Sequence, residues 1–250
     1  MAIAVEHFGR TYVSDTGTFV AVSDLSFEVR GGEIVGLIGP NGAGKTTTLR
    51  ALAGILRPTA GRMLIDGHDI VADPLDAKKR LAFMPDEPHL FEYLTVGEHL
   101  QLMARLYGVD DFARRSATLL DELELTGKEQ MLPGELSRGM RQKVVIACGL
   151  VRSATTLLFD EPLTGLDPIG IRRMRNTIVA RGREGAAILL SSHLLHLVEE
   201  ICTRVIIMDR GKKVADGTFA ELASRADLAA AGSSLEQIFL EVTGHAREGT

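Results

Sequence analysis

The chain has 250 residues, 45% of them hydrophobic and 24% charged, which is enough for one globular domain with a large buried core. Its net charge of −5 argues against a broad nucleic-acid face. No apolar run reaches the roughly 18 residues of a membrane span, and residues 1–10 lack the apolar core of a secretion signal, so a soluble, cytoplasmic chain is expected.

The N-terminal third reads mainly as β. Residues 3–6 and 25–30 are strand-like, and Phe27 and Val29 share one face of the second run. Gly31-Gly32 makes a turn. Ile34, Val35, Leu37 and Ile38 then form a buried strand that feeds Gly39-Pro40-Asn41-Gly42-Ala43-Gly44-Lys45-Thr46-Thr47. This stretch fits G-x-x-x-x-G-K-[ST], the phosphate-binding P-loop. Gly39, Gly42 and Gly44 permit backbone angles that a Cβ obstructs, so the loop can turn its N–H groups around a phosphate. Lys45 supplies a charge for the β- and γ-phosphate oxygens, and the Thr46 hydroxyl suits Mg²⁺. Leu49, Leu52, Ala53 and Leu56 follow at helical spacing.

Residues 62–66 and 81–84 read as further strands. From Asp86 to about Arg152 the pattern turns helical, with apolar spacing over 98–106, 112–123 and 139–150. Strand signals return at 156–159, 187–190 and 205–208, short and continuously apolar as in parallel strands covered on both faces. Arg210-Gly211 is a turn before a hairpin strand at 212–215. Cys148 and Cys202 lie in apolar helical stretches and read as buried thiols without metal-binding spacing. In the tail, Ser234 and Gln237 fit a capping box, and Leu235, Ile238, Phe239 and Val242 form a stripe expected to dock on the chain's own core.

Phosphoryl chemistry needs an acid at the end of a buried strand, and Leu157-Leu158-Phe159-Asp160-Glu161 supplies two. Asp160 fits a Walker B aspartate that holds Mg²⁺ through water. Glu161 is placed to polarise an attacking water. Upstream stands Leu136-Ser137-Arg138-Gly139-Met140. Ser137 and the amides at Gly139 and beyond open a helix whose positive end can meet a phosphate, although a lone Ser137 is an ordinary N-cap.

With these motifs in this order, the chain resembles the ATP-binding cassette (ABC) ATPases from about Tyr12 to the tail. The family signature Leu-Ser-Gly-Gly-Gln reads LSRGM here. The resemblance implies an α/β P-loop NTPase fold with a mixed β core over 1–85 and 153–220. It adds an antiparallel β subdomain, a helical signature subdomain over 86–152 and a helical tail over 221–250. It makes Tyr12 an adenine-stacking aromatic, Gly165-Leu166-Asp167 a D-loop linking two sites, and His193 the switch histidine that helps Glu161 hold the attacking water. ATP and Mg²⁺ are the implied ligands. Two copies close on ATP, so that Ser137 and Gly139 of one cover the nucleotide on the P-loop of the other. A separate membrane permease then receives the motion through residues 86–94, with Phe91 and Tyr93 as candidate contacts.

The chain departs from the family at two places. Asp86 stands where the Q-loop has Gln, and is a candidate for Mg²⁺ or its water that an unpaired charge would turn against the γ-phosphate. Arg138 and Met140 replace Gly and Gln of the signature. The acidic Q-loop followed by Pro88, the run Met140-Arg141-Gln142-Lys143 and the tail Leu235-Glu236-Gln237-Ile238-Phe239-Leu240 resemble the ATPase subunits of bacterial exporters with separate permease chains. The alternatives are a soluble ABC ATPase of DNA repair or translation, and a stand-alone P-loop phosphotransferase.

Overall fold

The computed structural model describes residues 1–15, 17–225 and 234–244. In chain order the strands are β1 (Ile3–Ser14), β2 (Gly17–Val29), β3 (Ile34–Ile38), β4 (Ala60–Ile65), β5 (His68–Asp69), β6 (Leu81–Met84), β7 (Thr156–Asp160), β8 (Ala187–Ser191), β9 (Arg204–Asp209) and β10 (Lys212–Gly217). The helices are α1 (Lys45–Leu52), α2 (Pro74–Arg80), α3 (Val96–Tyr107), α4 (Phe112–Glu122), α5 (Arg138–Leu150), α6 (Pro168–Arg183), α7 (Leu195–Ile201), α8 (Phe219–Arg225) and α9 (Leu235–Thr243).

These strands make two sheets. An antiparallel one has the order β2-β1-β4-β5, and a larger one the order β10-β9-β3-β8-β7-β6. In the larger sheet β6, β7, β8, β3 and β9 run parallel, and β10 pairs antiparallel with β9 at one edge. The continuously apolar runs explain this placement. Every residue of β3, β7 and β8 is buried, as a strand covered on both faces requires. Alternate residues enter different cores. Ile34, Leu157, Phe159, Ile188 and Leu190 face one shared with α3, α4 and α5. Val35, Leu158, Leu189, Ile206 and Met208 face another, shared with the antiparallel sheet and α1.

The first two strands are longer than their apolar runs suggest, because they form one hairpin that continues past Tyr12 to Ser14↔Gly17. Helix α1 stops at Leu52, with Ala53 as its C-cap, so Leu56 lies beyond the helix. The sequence reading marked neither α2 nor α6, and of α7 only an apolar helical stretch around Cys202, which is the C-cap just past Ile201. Helix α6 buries Gly170, Met174, Thr177 and Ile178, too mixed a set to show as an apolar stripe; its start was legible, since Asp167 caps it and Pro168 follows at the first helical position. In the tail, the Ser234 hydroxyl accepts from the Gln237 amide at 3.4 Å, and the Ser234 amide donates to the Gln237 side chain at 3.1 Å. Leu235 and Ile238 are buried in the core beside Leu197, Val198 and Ile201 of α7, so the stripe docks on its own chain. The rest of the tail expectation, residues 226–233 and 245–250, lies outside the described residues.

Leu158 is fully buried at the middle of β7. Leu158→Ala should lower the unfolding free energy by about 2–5 kcal/mol, read as a lower urea midpoint at constant slope. A loss under about 1 kcal/mol would be inconsistent with a strand packed on both faces.

Candidate functional site

The site lies along the C-terminal edge of the parallel strands, where β3 passes into α1. Two glycines are forced by close approach. A Cβ on Gly39 would stand 2.3 Å from the Met208 carbonyl oxygen, and one on Gly44 2.8 Å from that of Ala21, at a positive φ of 100°. Asn41 and Gly42 form the exposed tip, while Ala43, Gly44 and Lys45 are buried and Thr46 and Thr47 half-buried. Gly44 also caps α1 without a side chain, and the first turn holds no acid, so the helix presents bare amides to the loop. The Lys45 ammonium folds back to donate to the Gly39 carbonyl at 2.6 Å and the Pro40 carbonyl at 3.1 Å. Burial lowers its pKa, opposed by the charges of Glu161 and Asp160.

Next to the loop, β7 ends on Asp160, of which 2% is exposed. Its Oδ1 accepts from the Ser191 hydroxyl at 2.7 Å and the Thr46 hydroxyl at 3.1 Å. The same Ser191 oxygen accepts the Glu161 amide at 3.0 Å. Glu161 takes a positive φ of 50°, a strained conformation for a residue with a Cβ. It turns the carboxylate away from the strand, where Oε2 accepts from the His193 amide at 3.2 Å and meets the His193 Nδ1 at 2.8 Å. The structure therefore brings Lys45, Thr46, Asp160, Glu161 and His193 together. The sequence reading missed Ser191, which ties Asp160 to Glu161; the Ser191-Ser192-His193 triplet was in view, but only its histidine had been given a part.

Ser137 is the N-cap of α5, its hydroxyl accepting from the Met140 amide at 3.2 Å. Gly139 lies against the loop after β7, where a Cβ would come within 2.8 Å of the Gly165 carbonyl oxygen. That loop ends on Asp167, whose Oδ1 accepts from the Gly170 amide at 2.7 Å and caps α6. Asp86 follows β6 and lies 3.9 Å from the Arg138 guanidinium, so two of the departures from the family pattern face each other. Tyr12 sits on β1 opposite Phe19, with the Arg10 guanidinium 4.6 Å above its ring.

Phe91 and Tyr93 are exposed. The loop carrying them is fastened by the buried His99, a residue the sequence did not single out. Its Nε2 accepts the Phe91 amide at 2.9 Å while Nδ1 meets the Thr95 carbonyl at 2.8 Å, which fixes a neutral ring with its proton on Nδ1. Cys202 is buried as expected, whereas Cys148 is only half-buried, packed against the same core. Burial raises both thiols, that of Cys148 to about 12.

Among the described residues no group of three or more His, Cys, Asp or Glu side chains could hold a metal ion. The oxygen donors at the edge, Thr46 and Asp160, suit a hard cation that brings its other ligands with it, as Mg²⁺ does when bound to a polyphosphate.

Comparison with known proteins agrees with this geometry. The family model described as ABC transporter matches residues 22–164. The ABC-type transporter ATP-binding protein EcsA of Bacillus subtilis is 34% identical over 224 residues, covering 89% of this chain and 90% of that protein. The SkfA peptide export ATP-binding protein SkfE of the same organism is 38% identical over 214 residues, 85% of this chain and 87% of its own length. A solved ATP binding subunit of an ABC transporter superposes with a TM-score of 0.91 at 33% identity, over 97% of this chain and all of the other. A match of this length, over residues that include the P-loop and the acidic end of β7, places this chain in the ABC transporter family as one of its ATP-binding, ATP-hydrolysing subunits.

Proposed function

We propose that the chain binds Mg-ATP on its P-loop, pairs with a second copy or a homologous subunit that completes the site, and drives a separate membrane permease in export. The arrangement of Asp160, Ser191, Glu161 and His193 beside Lys45 is the observation that carries the hydrolytic part. Phosphates entering the P-loop take the place of the Gly39 and Pro40 carbonyls on the Lys45 ammonium. Tyr12 stacks on the adenine, and Asn41, Ala43 and Thr47 line the path of the phosphates. Mg²⁺, held by Thr46 and through water by Asp160, would neutralise charge on the phosphate oxygens. Asp86 is directed to Arg138 and is a weaker candidate for that ion.

Glu161 accepts a proton from the water that attacks the γ-phosphorus, while the bond to the bridging oxygen breaks and ADP leaves. His193 holds the Glu161 carboxylate through two contacts and so fixes the direction in which that base points. Ser137 caps α5 at the Met140 amide and the first turn holds no acid, so the positive end of the helix is suited to a phosphate. In this reading Ser137 and Gly139 receive the γ-phosphate of the other copy, and Asp167 holds the D-loop between the two sites.

Export is supported by SkfE, whose name states peptide export. No helix among the described residues is long and apolar enough to cross a membrane; in this reading a separate permease chain supplies the pathway. The exposed Phe91 and Tyr93, on a loop fastened by His99, are the surface offered to it. In this reading the chain works at the cytoplasmic face of the membrane, bound through the permease. No nucleic-acid partner is expected.

Glu161→Gln should reduce turnover by about 10²–10⁴-fold and accumulate an ATP-dependent dimer on size exclusion; a variant that stays monomeric at saturating Mg-ATP would remove the two-copy site. Ser191→Ala leaves the Asp160 carboxylate and the Glu161 amide short of a partner. It should lower stability by about 1–3 kcal/mol and slow hydrolysis more than it weakens ATP binding, measured as separate effects on kcat and on equilibrium affinity.

A further inference from the structure

Two of the positions at which the sequence departs from its family, Asp86 and Arg138, form one contact. Asp86 lies two residues beyond Met84, the last residue of β6, which pairs with Phe159 next to the acidic end of β7. It is the third carboxylate at the sheet edge that must admit a polyphosphate, beside Asp160 and Glu161. An unpaired charge there would repel the phosphates. Arg138, for its part, occupies the first residue of α5, where a cation opposes the helix dipole, and the first turn of α5 contains no acid. The Arg138 guanidinium stands 3.9 Å from the Asp86 carboxylate, and no other ionic partner of either is found among the described residues. One turn further along α5, on the same face, the Gln142 amide donates to the Pro85 carbonyl at 3.0 Å. Helix α5 thus holds two consecutive residues of the loop after β6, the backbone of one and the carboxylate of the next.

We propose that Arg138 is a positioning residue for nucleotide binding: it cancels the Asp86 charge at the sheet edge and ties the loop after β6 to the signature turn. This rests on the reading of that edge as the ATP site. Both side chains are about half exposed, at 60% for Arg138 and 47% for Asp86, so the pair adds little to overall stability. Its effect is on the field that an incoming anion meets. The acidic Q-loop position and the basic signature position are then complementary, and replacing one alone is worse than replacing both.

The test is a double-mutant cycle on the full chain, read as equilibrium binding of a fluorescent ATP analogue with Mg²⁺ at low and high salt. Arg138→Gln should weaken binding about 3–10-fold at low ionic strength. In an Asp86→Asn background the same change should cost less than about 2-fold. Arg138→Lys should retain most of the wild-type affinity, and the difference should shrink at high salt. Thermal midpoints should stay within about 2 °C of wild type for the exposed substitutions. An equal loss from Arg138→Gln with and without Asp86, or a loss indifferent to salt, would overturn the proposal while leaving the nucleotide site intact. A wild-type chain that binds no analogue would overturn that site, and the proposal with it.

Discussion

A carboxylate with almost no exposed surface ends β7, and it must be partnered where it lies. Desolvating Asp160 is costly unless hydrogen bonds or a cation replace the lost water. The Ser191 hydroxyl from the next strand supplies one bond and the Thr46 hydroxyl from the first turn of α1 another. Three separate segments of the chain are therefore brought to one carboxylate. The requirement fixes β7 beside β8, and it places the phosphate loop at the same edge. Since Ser191 also accepts the Glu161 amide, the orientation of the second acid follows from the satisfaction of the first.

The two cores make this edge rigid enough to hold such contacts. Successive residues of each parallel strand enter opposite cores, so a strand cannot slip by one position without exchanging every side chain between them. Strain is then tolerable at Glu161, whose positive φ sets the carboxylate against His193 instead of continuing the strand. The same rigidity holds β6 in register with β7 and so delivers Asp86 to the edge. Helix α5 bridges from there to the signature turn through Gln142 and Arg138, which makes it the element through which the helical segment and the sheet edge meet.

The motif residues were legible because their spacing along the chain is itself the chemical requirement. Residues 39–47 match the phosphate-loop pattern by spacing alone, and Asp160-Glu161 ends an apolar run that forms a buried strand. Helices α3, α4 and α5 were visible from their apolar period. Helix α6 was not, because its buried face includes Gly170, Met174, Thr177 and Ile178, and five arginines dilute the pattern. His99 was hidden for a different reason. A histidine on an apolar helix face has no signal of its own until Phe91, eight residues earlier, folds back onto it.

The sequence by itself determined the nucleotide loop, the acidic strand end, the parallel character of the central strands and the family resemblance. All of these depend on residues adjacent in the chain or on a fixed local period. Tertiary structure alone decided what Asp86 and Arg138 are to each other. Fifty-two positions separate them, and neither has a partner within its own element. In the sequence they are two unrelated departures from a family pattern. Once β6 is in register and α5 lies across its end, opposite charges come within 3.9 Å, because the sheet fixes one and the helix the other. The same holds for Ser191, whose hydroxyl gains its importance only when β8 pairs with β7 and sets it against a carboxylate that cannot reach water.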